Sequence, residues 1–327
     1  MFLRTYFFRN PRLAALLSAL LFVLAFPPSY APWTLLVAFV PLLLLSEKLP
    51  LKNIFALGGL LGALFYFGVF YWIFYTICLF FDLDWFAGLP LYLIWVLFGA
   101  FQFALFFSAV NFLRKKFQGL SAFSIASLWV CLEWVYPKTL PWTIGTMWVS
   151  SETLRQNADW LGLYGLSFVT VWLNACWANF LLKDKQDRKR GALLTPVVVL
   201  VLLAVYGEFR LREEMPPANL NVGMVHMDQT FHEALSWRDQ KRWGEIQKIN
   251  NDLARSAPAF IVWPEAIFDL LSHQDLHERI VDLVKATGVA IMAGVQLEND
   301  NHKPFNAVLF VEPDKAHQHY AKRALFP

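Results

Sequence analysis

The sequence predicts a multi-pass α-helical membrane bundle followed by an α/β domain, and three observations carry that expectation. The first is composition: of 327 residues, 57% are hydrophobic, 17% aromatic and only 16% charged. Soluble domains average about 25% charged and 45–50% apolar residues. This balance excludes a disordered tail, a collagen-like chain and a disulfide-stapled miniature domain. The second is a charge split hidden under a net charge of +3. Residues 1–206 carry 15 Lys/Arg against 8 Asp/Glu, a net of +7, and residues 207–327 carry 13 against 17, a net of −4. The third is a change of period near residue 219, where long apolar runs give way to short alternating ones. The expected domains are a seven-helix transmembrane bundle over 1–207 and an α/β domain over 208–327.

Seven apolar stretches supply the bundle, at roughly 12–26, 31–46, 53–81, 87–113, 120–137, 161–182 and 193–207. A helix crossing the hydrocarbon core needs about 20 residues. The third, fourth and sixth stretches meet that, while the first, second and seventh borrow flanking residues. Pro27-Pro28 reads as a tight corner between the first two, because proline cannot continue a helix. Residues 4–26 have the basic start and apolar run of a secretory signal, but Pro32 after Ser29-Tyr30-Ala31 is a poor cleavage context. An uncleaved first helix is the preferred reading.

Orientation follows from cations in the short loops. Arg4, Arg9 and Arg12 precede the first span, Lys48 and Lys52 follow the second, Arg114, Lys115 and Lys116 follow the fourth, and Lys183, Lys185, Arg188, Lys189 and Arg190 follow the sixth. The alternate loops are poor in cations. That alternation expects a cytoplasmic N-terminus and, after seven crossings, residues 208–327 on the far side, the periplasm of a bacterial inner membrane.

Few polar groups interrupt the spans. Cys78, Cys131 and Cys176 all lie in apolar runs, so they read as small hydrophobes rather than nucleophiles or disulfide partners. Glu133 is the one carboxylate clearly inside a span. It reads equally as an interfacial Glu flanked by Trp129 and Trp134 or as a site residue. Trp142, Trp148 and Trp160 suit the headgroup zone, as an anchoring belt or a lateral lipid doorway. A transporter is disfavoured, because only Glu133 approaches a mid-membrane charge.

Beyond 219 the pattern is strand, helix, strand, helix, strand, strand. Residues 220–226, 259–263, 289–296 and 306–311 read as strands, and 231–256 and 274–287 as helices. Trp263-Pro264-Glu265 follows the second strand, where α/β folds place groups that face ligands. Burial of Glu265 beside aromatics would let it act as a base. Taken alone it is a weak signal, and so is Lys322 in Tyr320-Ala-Lys-Arg-Ala-Leu-Phe-Pro327, a Lys beside an Arg.

Together the two segments resemble the nitrilase superfamily, and specifically its membrane branch, the apolipoprotein N-acyltransferases. Pro141-Trp142-Thr-Ile-Gly145, Gln156-Asn-Ala-Asp159, Gly162-Leu-Tyr-Gly-Leu-Ser-Phe168 and Asn174-Ala175 resemble that family's segment around its sixth helix. The resemblance covers nearly the whole chain. It implies a nitrilase-like αββα sandwich and a Glu-Lys-Cys triad, with Glu265 as general base and Lys322 on the oxyanion. A thiol must lose its proton to attack an ester, and the oxygen left negative needs a fixed cation. The implied reaction moves an acyl chain from a phospholipid donor, through an enzyme thioester, to the α-amino group of a diacylated apolipoprotein acceptor. Trp237 resembles the family's substrate-contacting tryptophan and reads equally as a core residue. The implied partners are membrane lipid and these two substrates, with no cofactor, metal or nucleic acid.

The family's pattern continues past Leu-x-Pro to Phe-Gly-Glu and then the nucleophile, whereas this sequence stops at Pro327. The 108 residues from 220 to 327 are about half of what a nitrilase sandwich implies. His226 and Asp314-Lys315 also stand where that family tends to have Gln and an Asp-Gly turn. The reading is therefore a truncated, split or partial chain holding the N-terminal half of the sandwich, without a nucleophile and inactive alone. Two alternatives stay open: a membrane amidase or hydrolase using water as acceptor, and a non-catalytic, lipid-binding half of a split enzyme.

Overall fold

The computed structural model describes residues 9–27, 31–183, 193–214, 218–226, 239–265, 268–269, 275–298 and 303–323. The chain divides into two compact units, Met1–Glu214 and Met215–Pro327.

In the first unit, α1 spans Pro11–Ala25, α2 Leu51–Val69, α3 Trp72–Phe80, α4 Trp85–Lys116, α5 Ala122–Val135, α6 Ala158–Leu182 and α7 Leu194–Leu211. Four of these, α2, α4, α6 and α7, are long and apolar enough to cross a membrane, while Pro11–Ala25, Pro32–Leu43 and Ala122–Val135 are shorter apolar helical segments. The starts are chemically marked. Pro11 opens α1, and the Asp84 carboxylate accepts from Ala87 N at 2.8 Å to cap α4. α2 and α4 pack so closely that a Cβ on Gly62 would stand 2.7 Å from the Ala100 Cα. Small residues at that seam let two backbones approach without lipid between them.

Four expectations are corrected here. Residues 31–46 do not form one helix. They fold as a 3₁₀ turn, Pro32–Leu36, and one helical turn, Val40–Leu43; Pro41 has no N–H to bond a carbonyl of the preceding turn, so one ladder cannot run through. Irregular backbone at membrane depth has to be satisfied by protein. Asn174 of α6 does this, accepting from Phe39 N at 2.9 Å and donating to Leu35 O at 2.8 Å, with its side chain fully buried. The stretch 53–81 likewise breaks at Phe70 into α2 and α3. Arg114, expected as a loop cation, is buried in the last turn of α4 and donates to Leu43 O, the Ser46 hydroxyl and Asn179 Oδ1. Trp142 and Trp148 are buried too, donating to the Tyr66 hydroxyl and to Thr170 Oγ1, whereas Trp160 is exposed.

In the second unit, β1 spans Val222–Met224, α8 Asp239–Ala254, β2 Phe260–Val262, β3 Phe268–Asp269, α9 Asp275–Thr287, β4 Ala290–Glu298, β5 Pro304–Val311 and β6 Gln318–Ala321. Among the described residues these strands form one mixed sheet in the order β1-β2-β4-β5-β6, with β3 also beside β4. β1, β2 and β4 run parallel, and β4, β5 and β6 antiparallel. The part of the expected 231–256 helix before residue 239 lies outside the described residues, and β3 and β6 were not anticipated.

Strand alternation sorts the side chains. Ile291, Ala293 and Val295 of β4 and Ala307, Leu309 and Val311 of β5 point to one face, where Ile246 of α8 and Ile280, Leu283 and Val284 of α9 cover them. Trp263 joins this core and donates its indole N–H to Asn250 Oδ1 at 3.1 Å. The other face carries Met224, Val308 and Tyr320, all exposed, with Met292 and Phe310 half-buried.

Candidate active site

The second face of the sheet is where the candidate residues meet. The ladder between β2 and β4 extends one residue past Val262, with Trp263 N donating to Met292 O at 2.8 Å. Pro264 has no N–H, so the pairing stops there and the chain turns across β4. That turn requires Gly294: a Cβ at this position would lie 2.5 Å from the Glu265 Cα and 2.6 Å from Pro264 O. Glu265 is thereby carried over the middle of β4 towards β5 and β6.

Lys322 arrives from the other side. β6 pairs antiparallel with β5, Val308 opposite Tyr320, and Lys322 N donates to Asn306 O at 2.8 Å to extend the ladder. The Lys322 Nζ then donates to Glu265 Oε1 at 2.8 Å across 57 residues of sequence. Asn306 Nδ2 approaches the same oxygen at 3.4 Å, and Gln296 Nε2 holds Asn306 Oδ1 at 3.3 Å. One carboxylate oxygen is therefore held by two donors, while Oε2 accepts none among the described residues. An oxygen fixed on one side and open on the other suits a base that must receive a proton from a bound group.

The pair lines a cleft of about 300 Å³ whose apolar wall includes Met292, Val308 and Tyr320. The burial expected for Glu265 is absent among the described residues: its side chain is 63% exposed, and that of Lys322 40%. An ion pair this open contributes about 0–1 kcal/mol to stability, so its geometry is not explained by folding energy. Trp237 lies outside the described residues. Cys78, Cys131 and Cys176 sit in α3, α5 and α6 of the other unit.

Asn306 and Gly294 were not anticipated. Asn306 had a signal: it is the polar member of an otherwise apolar i, i+2 row with Val308 and Phe310. Gly294 had none, because the close approach it permits is tertiary. Glu133 resolves differently from Glu265. It is buried in α5, and its Oε1 accepts from Ile144 N at 2.7 Å, tying down the start of a 3₁₀ turn, Ile144–Ser150. The neighbouring Gly145 N donates to Ser167 Oγ of α6 at 2.8 Å, so this segment is pinned to two helices.

Comparison with known proteins gives this arrangement a family context. Residues 18–176 match the model of the apolipoprotein N-acyltransferase N-terminal domain. Among curated proteins, the chain is 26% identical to an apolipoprotein N-acyltransferase of Rickettsia bellii over 269 residues, covering 79% of this chain and 52% of that protein. It is 28% identical to that of Geobacter metallireducens over 279 residues, covering 79% and 51%. It is 26% identical to that of Coxiella burnetii over 336 residues, covering 96% and 65%. The chain spans about half the length of the first two relatives.

Proposed function

Because residues 18–176 match the model of the apolipoprotein N-acyltransferase N-terminal domain and the chain is similar to several such enzymes, we propose that it belongs to that family and serves the transfer of an acyl chain from a phospholipid to the α-amino group of a diacylglyceryl-cysteine, through a thioester. The observation that carries this reading is the contact of Lys322 Nζ with Glu265 Oε1 at 2.8 Å, in a unit joined to a family-matched membrane protein. The second unit is read as a nitrilase-like layer, in keeping with its mixed sheet and the two helices on one face. The basic loops are read as cytoplasmic and residues 208–327 as periplasmic, in a bacterial inner membrane.

In the proposed chemistry Glu265 Oε2 takes the proton of an attacking thiol. The sulfur bonds to the ester carbonyl carbon, and the carbonyl oxygen becomes negative beside Lys322 Nζ. Collapse expels the lipid's alkoxide, which is protonated by the Glu265 carboxylic acid, and leaves the thioester. The acceptor amine then attacks that carbonyl and loses its proton to Glu265, and the thiolate departs. Asn306 acts as a positioning residue, holding the carboxylate in the plane that Lys322 also reaches. The thiol in this scheme is none of Cys78, Cys131 or Cys176, which lie in apolar helices.

None of the 327 residues supplies that thiol, so this chain alone is expected to be inactive, and the test uses membranes carrying the whole product of its gene. They are supplied with phosphatidylethanolamine labelled in its acyl chains and with a diacylated lipopeptide. Labelled triacylated lipopeptide is expected, and Glu265→Gln is expected to lower its rate about 10²–10⁴-fold, the span of a lost general base. Unchanged product with Glu265→Gln removes Glu265 from the chemistry, and release of free fatty acid instead of lipopeptide turns the reading to a hydrolase.

A further inference from the structure

A second cavity lies wholly within the membrane unit and takes no part in the chemistry above. Its volume is about 560 Å³, inside the ~300–1,000 Å³ range of small-molecule sites. Its apolar lining includes Phe26 and Pro27 after α1, Val149 of the 3₁₀ turn, and Leu163 and Leu166 of α6. The first turn of α6 beside it is irregular. Gly162 adopts φ +63°, a conformation that glycine takes without strain, and breaks the helix one residue before Leu163.

Part of the lining is polar: Arg155, Thr146 and Gln156 belong to it, and no Asp or Glu does. The Arg155 guanidinium is exposed, donates to Val149 O at 3.2 Å and forms no ion pair among the described residues. A guanidinium has five N–H donors arranged to grip a phosphate, so most of its capacity is unspent. Exposed Trp33 and Trp160 lie near lining residues: the Trp33 ring is 6.1 Å from that of Trp148, next to Val149, and Trp160 donates to Asn157 Oδ1, next to Gln156. Exposed Trp residues mark headgroup depth.

We propose that this groove is a holding site for one phosphate-bearing membrane lipid, with the phosphate on Arg155 and an acyl chain along Phe26, Val149, Leu163 and Leu166. Charge complementarity selects the occupant. An apolar trough with an unpaired cation in its lining, at headgroup depth, matches a lipid that carries apolar chains beside an anionic phosphate. The proposal rests on the membrane reading of the first unit and not on the acyl-transfer reading of the second.

The test places the protein in phosphatidylcholine nanodiscs containing phosphatidylglycerol with a photoactivatable acyl chain, and maps the cross-linked peptides by mass spectrometry. Adducts are expected to concentrate at Phe26, Val149, Leu163 and Leu166. Arg155→Gln should lower their yield at least fivefold, and Arg155→Lys should restore most of it. Leu163→Trp, which fills the trough and leaves the cation in place, should also remove them. A photoactivatable diacylglycerol, with the same chains and no phosphate, should label the groove at least fivefold less. Labelling spread evenly over the lipid-facing helices, equal yield from Arg155→Gln, or equal labelling by diacylglycerol would each overturn the proposal. Acyl transfer is not measured, so an inactive Glu265 variant that still binds lipid separates this site from the catalytic reading.

Discussion

Glu133 and Glu265 sit in opposite settings, and the contrast runs through both units. Glu133 is buried in an apolar helix and spends one oxygen on the backbone N–H of Ile144. Asn174 and Arg114 behave the same way, giving their bonds to carbonyls and amides of an irregular segment. Polar groups in the membrane unit thus replace water for a backbone that proline has broken. Glu265, by contrast, is exposed on the sheet face that no helix covers among the described residues, and its bonds go to other side chains, Lys322 and Asn306. Each carboxylate has one oxygen bonded and a second that accepts no hydrogen bond among the described residues, but the free oxygen of Glu133 is buried, whereas that of Glu265 is open to a bound group.

The contrast fails first, and by the largest margin, if Asn174 is not what holds the broken segment. Asn174→Leu leaves Phe39 N and Leu35 O buried without partners, at about 1–3 kcal/mol for each group. The expected result is a loss of roughly 2–6 kcal/mol, read as a large fall in the thermal midpoint of the purified protein. In the second unit the matching change is Gly294→Ala, whose new Cβ meets the backbone of Pro264 and Glu265. It should cost about 1–3 kcal/mol of stability, in the range of overpacking, and lower acyl transfer at least tenfold, because the Glu265 turn is displaced. Glu133→Ala should cost about 1–3 kcal/mol by orphaning Ile144 N, and Glu133→Gln should recover most of that, since the amide oxygen still accepts. A Glu133→Gln variant as damaged as Glu133→Ala would give Glu133 a role that needs its charge.

The smallest effect expected is in pH. His277 of α9 faces His317 with ring centroids 4.9 Å apart. Burial and then the His317 ring hold His277 below its ordinary 6.5, while Glu278 pulls the other way. The fold favours the neutral ring, so this contribution is complete above pH 6.5 and is lost as pH falls through 6.5 towards the lower folded value. Thermal midpoints between pH 8 and 5 should show a modest fall below that point, and His317→Gln should flatten it.

The parts legible in the sequence were those governed by local period and composition. The long runs of α4 and α6, and the strands at 290–298 and 304–311, announce themselves by apolar length or alternation. The break in 31–46 was written in Pro41, yet apolarity alone hid it, because hydropathy does not register a missing donor. Arg114 looked like a loop cation because its partners, Leu43 O and Asn179, are remote in sequence. The short edge strand β6 had no signal of its own, being four residues long and exposed throughout. Glu265 and Lys322 were each weak alone, and only the resemblance suggested pairing residues 57 apart. Gly294 and Asn306, which give that pair its geometry, depend on strand register.

The central claim is that Glu265 and Lys322 act as one unit, and its most direct test is the acyl-transfer rate of Glu265→Gln, Lys322→Met and the double variant in membranes carrying the protein expressed from its own gene. Residues of one catalytic unit lose activity non-additively. Each single change is expected to lower the rate about 10²–10⁴-fold, with the double variant no slower than the worse single one. Single variants that keep the parent rate, or single losses that multiply in the double variant, would contradict the account.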